Sequence, residues 1–150
     1  MQRLLLLILM ASCAGTKSTA PVTINSSAPN SEITVIPFSN HINELYRLFE
    51  GAEPTELTEK ELALIDQLLS ECMKAYNMEK ATHINLKEYK RQYVPVINSA
   101  GEKEVWVNCF CEEWPGWETD IVSVLDGENN CYFNIKFNLN DKTSRDLLVN

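Results

Sequence analysis

The period of hydrophobic and polar positions changes along this chain and divides it into four stretches. Leu4 to Met10 is an unbroken apolar run. Residues 14–31 are mostly Ser, Thr, Ala, Pro and Asn, with scattered Val22 and Ile24, and keep no period. Between residues 40 and 78 apolar side chains recur at steps of three and four, the spacing of one helical face. Beyond Leu86 the period falls to two, the signature of a strand whose side chains alternate between faces.

Each stretch predicts its elements. Residues 32–38 suit a short extended segment, because Pro37 drives Ile36 away from helical backbone. Ser39 or Asn40 can cap a first helix with the apolar face Ile42, Leu45, Leu48 and Phe49, and Gly51 suits its left-handed end. Thr58 and Glu61 have capping-box spacing. Leu62, Ile65, Leu69, Cys72 and Tyr76, widened by Leu68, then form one stripe, which predicts a helix from about Glu59 to Met78.

Four strands follow. Residues 89–98 are interrupted by Pro95, which argues for an edge or a bulge. A turn at residues 99–102 leads to a strand over 104–111. Residues 120–125 are apolar on both faces apart from Ser123, the pattern of a central strand. After a turn cluster at 126–130, residues 131–139 alternate cleanly, with Cys131, Phe133, Ile135, Phe137 and Leu139 on one face. Residues 142–150 read as a short amphipathic tail. The fold class expected is α+β: two N-terminal helices packed on a four-stranded antiparallel meander. One apolar helix face and one apolar sheet face bury each other most economically.

Composition adds an ordinary globular balance, 45% hydrophobic and 23% charged, and a formal charge of −8. An acidic chain without a basic cluster is repelled by phosphate backbones and anionic headgroups, so no nucleic-acid partner is expected. Any membrane attachment must come from elsewhere.

The N-terminus offers that source. Arg3, the apolar run and the close Met10, Ala11, Ser12, Cys13 follow the order of a secretory signal peptide. Small residues directly before a cysteine resemble the lipobox of bacterial lipoproteins, in which Cys13 is acylated with chains such as palmitate and becomes the mature N-terminus. A transmembrane helix needs about 20 apolar residues, roughly twice this run. The alternative is cleavage by the ordinary signal peptidase after Ala14, which would release a soluble secreted protein. The organisation expected is a lipoprotein signal peptide at 1–12, a lipidated Cys13 with a flexible tether to residue 31, and one domain over 32–150. About 18 tether residues have an r.m.s. reach of roughly 23 Å. Two acyl chains give a stable anchor where one is marginal. No acidic residue follows Cys13, and by resemblance to lipoprotein sorting rules the expected address is the outer membrane, facing the periplasm.

A wider resemblance rests on Tyr89, Tyr93, Pro95 and Ile97, on Gly101, Trp106, Cys109 and Cys111, and on Asp126, Gly127, Asn130 and Phe133. With the helix opening over residues 55–62, these look like a family of small Bacteroidota-type lipoproteins. The resemblance implies an envelope address and a shared fold and carries over no catalytic residue.

Candidate chemistry is sparse. After lipidation Cys72, Cys109, Cys111 and Cys131 remain, and an oxidising compartment permits disulfides among them. Cys109 and Cys111 are neighbours on one strand face about 7 Å apart, an awkward bridge, so a cross-strand or strand-to-helix pair with Cys131 or Cys72 is favoured. The bland alternative is four small buried residues. Cys109, Cys111 and Cys131 with His83 fit no zinc knuckle, and no nucleophile, base and orienting group share a neighbourhood. No metal, cofactor or catalytic residue is therefore expected. Trp114, Pro115, Gly116 and Trp117 stand out, because two tryptophans around a rigid turn suit a binding hot spot. With Trp106 they form the expected contact for a protein or glycan partner. The function expected is a non-enzymatic, lipid-anchored binding or accessory module. A protease-inhibitor-like module using hairpin loops is the alternative, and it requires the 99–101 turn and the tryptophan loop to lie side by side.

Overall fold

The structure is a computed structural model describing residues 32–124, 127 and 129–150. The leader, Cys13 and the tether lie outside the described residues, as do Leu125, Asp126 and Glu128. In chain order the elements are β1 (Ile33–Val35), α1 (Asn40–Tyr46), β2 (Glu53–Pro54), α2 (Glu59–Lys80), a 3-10 turn (Leu86–Glu88), β3 (Lys90–Ile97), β4 (Lys103–Phe110), β5 (Tyr132–Asn138) and β6 (Thr143–Val149).

The expected four-stranded antiparallel meander under two N-terminal helices is not what forms. The sheet has six strands in the order β1-β3-β4-β5-β6, with β2 also on β3. It is mixed, because β1 runs parallel to β3 while the remaining pairs are antiparallel. The helices are also interleaved with short strands, not placed ahead of the sheet. Four points account for the difference. The 32–38 segment contains β1, the link between the helices contains β2, the supposed tail contains β6, and residues 120–124 form no strand.

Pro95 is accommodated although β3 is paired on both sides. Val35 of β1 lies opposite Tyr93, and Pro54 of β2 lies opposite Val96. Pro95 faces the gap between them, so its missing N–H deprives no neighbour. On its other side it pairs with Val105. The strand is therefore neither an edge nor bulged at this proline.

α2 forms as its sequence specifies. Thr58 Oγ1 accepts the N–H of Glu61 at 3.3 Å, and Glu61 Oε2 accepts the N–H of Thr58 at 2.7 Å. The helix ends at Ala81 in the left-handed conformation. Its buried residues Ile65, Leu69 and Met73 pack on Tyr93, Val105, Val107, Cys109, Phe133, Ile135 and Phe137. Burying each large apolar side chain there contributes roughly 1.5–3 kcal/mol before entropy is charged against it.

The opposite face carries a second layer. Val94, Val96 and Trp106 alternate away from α2 and pack with Ile36, Phe38, Leu48, Phe49 and Ile121, together with Ile42 and Tyr46 of α1. The two helices thus sit on opposite faces of the sheet. Ser39 caps α1, accepting from the N–H of Ile42, but the helix stops at Arg47, well before Gly51. Leu45, expected on its buried face, is 61% exposed, whereas Leu48 and Phe49 enter the core from beyond the helix.

Candidate interaction surface

The segment between β4 and β5 folds back over the second face, and side-chain amides of the sheet hold it there. Gln92 and Asn108 are register partners on β3 and β4 and are both buried. Gln92 Nε2 donates to the carbonyls of Trp117 and Asp120 at 2.5 and 2.7 Å. Its Oε1 accepts from Val122 N–H and from Asn108 Nδ2, both at 3.0 Å. Asn108 Nδ2 also donates to Val122 O at 2.8 Å, and Thr34 Oγ1 donates to Glu118 O at 3.0 Å. Every hydrogen-bonding position of the Gln92 amide is filled, which is what makes a fully buried glutamine tolerable.

Residues 120–125 looked like a central strand because both sides are apolar. Ile121 is buried with the α1 layer, and Val122 with Phe110, Trp117, Cys131 and Tyr132. The segment lies flat on the sheet instead of within it, so burial on both sides does not imply strand pairing.

The segment is closed at its root. Cys111 and Cys131, adjacent to the last β4–β5 register pair, form a disulfide with Cα atoms 5.1 Å apart. Cys72 and Cys109 are free, on α2 and in the main core. Cys109 is wholly buried, and desolvation pushes its thiol well up despite the nearby Arg91 charge. Burial likewise raises Cys72. Neither thiol has the lowered pKa of a reactive nucleophile. His41 and His83 are exposed, and among the described residues no three His, Cys, Asp or Glu side chains are placed to hold a metal ion.

The three tryptophans separate by burial. Trp106 and Trp117 are 7% and 6% exposed and serve as core, which does not suit the contact role expected of them. Trp117 packs edge-to-face on Phe110, with centroids 5.9 Å apart. Trp114 stays 39% exposed. Its turn has Pro115 and then Gly116 at φ 79°, closed by Trp117 N–H to Trp114 O at 3.3 Å. That is the backbone a Pro-Gly pair favours, and glycine supplies the positive φ without strain.

Side chains then fix the exposed indole. Trp114 Nε1 donates to the Tyr132 hydroxyl at 3.0 Å, and that hydroxyl donates to Glu112 Oε2 at 2.6 Å. Burial, and after it the Glu112 carboxylate, holds the Tyr132 phenol above its ordinary pKa, so it remains a donor. Glu112 and Tyr132 each directly follow one half of the disulfide, so a covalent bond and a hydrogen bond brace the same junction. Sequence reading missed Gln92, Asn108, Glu112 and Tyr132. For Gln92 and Asn108 the available signal was an amide beside the apolar run of each strand.

A cleft of about 300 Å³ also opens between Tyr46, Trp106, Val124, Asn134, Leu148 and Asn150. Of the charges lining it, Lys136 pairs with Asp146 at 3.2 Å and Asp146 also with Arg145 at 2.6 Å, while Arg47 has no ion-pair partner among the described residues. The Trp114 turn is the better candidate because its exposed indole is held in place by Tyr132. No protein-family model, curated protein or solved structure matches this chain, so its function is argued from its own residues.

Proposed function

We propose that this protein is a lipid-anchored bacterial envelope protein, a non-enzymatic binding module presented on the periplasmic side of the outer membrane. The address rests on the order of Arg3, the apolar run and the lipobox-like residues before Cys13. The binding role rests on one observation: of three tryptophans, Trp114 alone stays accessible, on a turn braced by a disulfide and by Tyr132. Rigid aromatic side chains of this kind make favourable contacts because little entropy is lost on binding. Among the described residues no helix is long and apolar enough to cross a membrane.

The inhibitor-like alternative lacks its geometric condition. The 99–101 turn precedes β4 and the tryptophan loop follows it, so the two leave opposite ends of that strand.

Metabolic labelling with a fatty-acid probe tests the address. Wild type takes up the probe and Cys13→Ser does not; label on the serine variant, or none on wild type, overturns the anchor. An unlabelled wild type found in the medium would point to ordinary signal-peptidase cleavage. A photo-crosslinking residue at position 114 tests the binding role in intact cells. A discrete crosslinked species supports it, and equal crosslinking from an exposed position of α2 such as Met78 removes the specificity.

A further inference from the structure

The tryptophan loop already holds one cation of its own chain. Lys90 Nζ lies 5.0 Å from the ring centroid of Trp117 and 2.5 Å from Glu113 Oε2, an ammonium shared between an indole face and a carboxylate. The same loop carries a second indole and carboxylate, Trp114 and Glu112, linked through the Tyr132 hydroxyl. Unlike Glu113, Glu112 has no cationic partner among the described residues, and both Glu112 and Trp114 are exposed. Residues 112–120 include Glu112, Glu113, Glu118 and Asp120, all exposed, and no Lys or Arg. The whole chain carries a formal charge of −8, which draws a positively charged partner toward it.

From this charge complementarity we propose that Trp114 and Glu112 receive an arginine or lysine side chain of a partner protein. The cation lies over the indole and pairs with the carboxylate, as Lys90 does within the chain. This identifies the partner class of the binding module proposed above and rests on that reading. The occupant is a protein segment, because a cation gains both from the indole face and from the carboxylate charge, whereas a neutral glycan would use the carboxylate only as a hydrogen-bond acceptor.

The test uses the full chain labelled with nitrogen-15 tryptophan, which gives three indole signals, assigned with Trp114→Phe. The probes are a short glycine–arginine peptide, its citrulline counterpart and cellohexaose. The arginine peptide should shift the Trp114 indole saturably at low salt and leave Trp106 and Trp117 unmoved, with weaker binding at high salt. Citrulline removes the charge and should leave Trp114 in place. Glu112→Gln keeps an acceptor for Tyr132 and should weaken binding about 2- to 5-fold, the range of an exposed charge contact of this kind. Unmoved Trp106 and Trp117 signals show that this variant is folded, and the salt dependence tests the same charge without any substitution. The proposal is overturned by a Trp114 signal that never moves, by equal response to citrulline or cellohexaose, or by unchanged affinity in Glu112→Gln. If position 114 crosslinks a partner in cells while no arginine peptide binds, the module stands and the cationic partner class falls.

Discussion

Gln92 Oε1 accepts the backbone N–H of Val122 at 3.0 Å, across 30 residues of sequence, and thereby does for that segment what a neighbouring strand would otherwise do. With Asn108 and Thr34, this glutamine docks the segment that carries Trp117 and Ile121. Gln92→Leu keeps the volume and removes the partners of Trp117 O, Asp120 O and Val122 N–H together. Each buried group left unpaired costs about 1–3 kcal/mol, so the variant should lose about 3 kcal/mol or more in urea unfolding. Gln92→Leu combined with Asn108→Ala should lose less than the sum of the two, because they act on one network.

The Cys111–Cys131 disulfide joins residues 20 apart. Loop closure of that length lowers the entropy of the unfolded chain by an amount worth about 3 kcal/mol. The double Ser variant should unfold at correspondingly lower urea, and reductant should destabilise wild type but leave the variant unchanged. Cys109, fully buried, should resist alkylation until the fold opens.

Within α2, Leu69 is 0% exposed and Met78 is 78% exposed. Leu69→Ala should cost about 2–5 kcal/mol, and Met78→Ala should stay within about 0.5 kcal/mol. Similar losses at the two positions would contradict the buried face assigned to the helix.

Glu61 predicts the pH response. Burial alone would raise its carboxyl, but hydrogen bonds from Lys103 Nζ and from the backbone and hydroxyl of Thr58 outweigh it, and the net shift is below the ordinary value of 4.5. A carboxylate with a lowered folded pKa contributes stability that is present above about pH 5, near the unfolded value, and lost as pH falls through the folded one. Glu61→Gln keeps the capping acceptor but removes the charge that faces Lys103 and the helix N-terminus, and should therefore lose about 0.3–1 kcal/mol at neutral pH. It should also show a shallower loss of stability below about pH 5, read by denaturant unfolding across pH.

The sequence made some elements legible and others not, for physical reasons. Thr58 and Glu61 announce the start of α2 because a capping box is satisfied within four residues. The alternation of β5 is as direct, since one of its faces meets α2 and the other stays partly open. The third predicted strand failed because Ile121 and Val122 are buried in two different clusters, a pattern shared by a central strand and by a segment laid across a sheet. β6 was missed because its residues are largely exposed, and pairing at the edge needs no apolar period. Of the candidate site, the Pro115-Gly116 turn was legible, but which tryptophan it would leave at the surface was not.

By itself, then, the sequence determined local conformation: where α2 begins, where the 115–116 turn reverses, and which side of each long strand is apolar. Those choices depend on backbone dihedrals and on neighbours a few residues away. Tertiary structure alone decided that the helices take opposite faces, that Pro95 meets a gap, and that Trp114 is exposed while Trp106 and Trp117 are not. Backbone donors and acceptors are chemically alike along the whole chain. Their partners are chosen only when distant segments such as residues 92 and 122 are brought together.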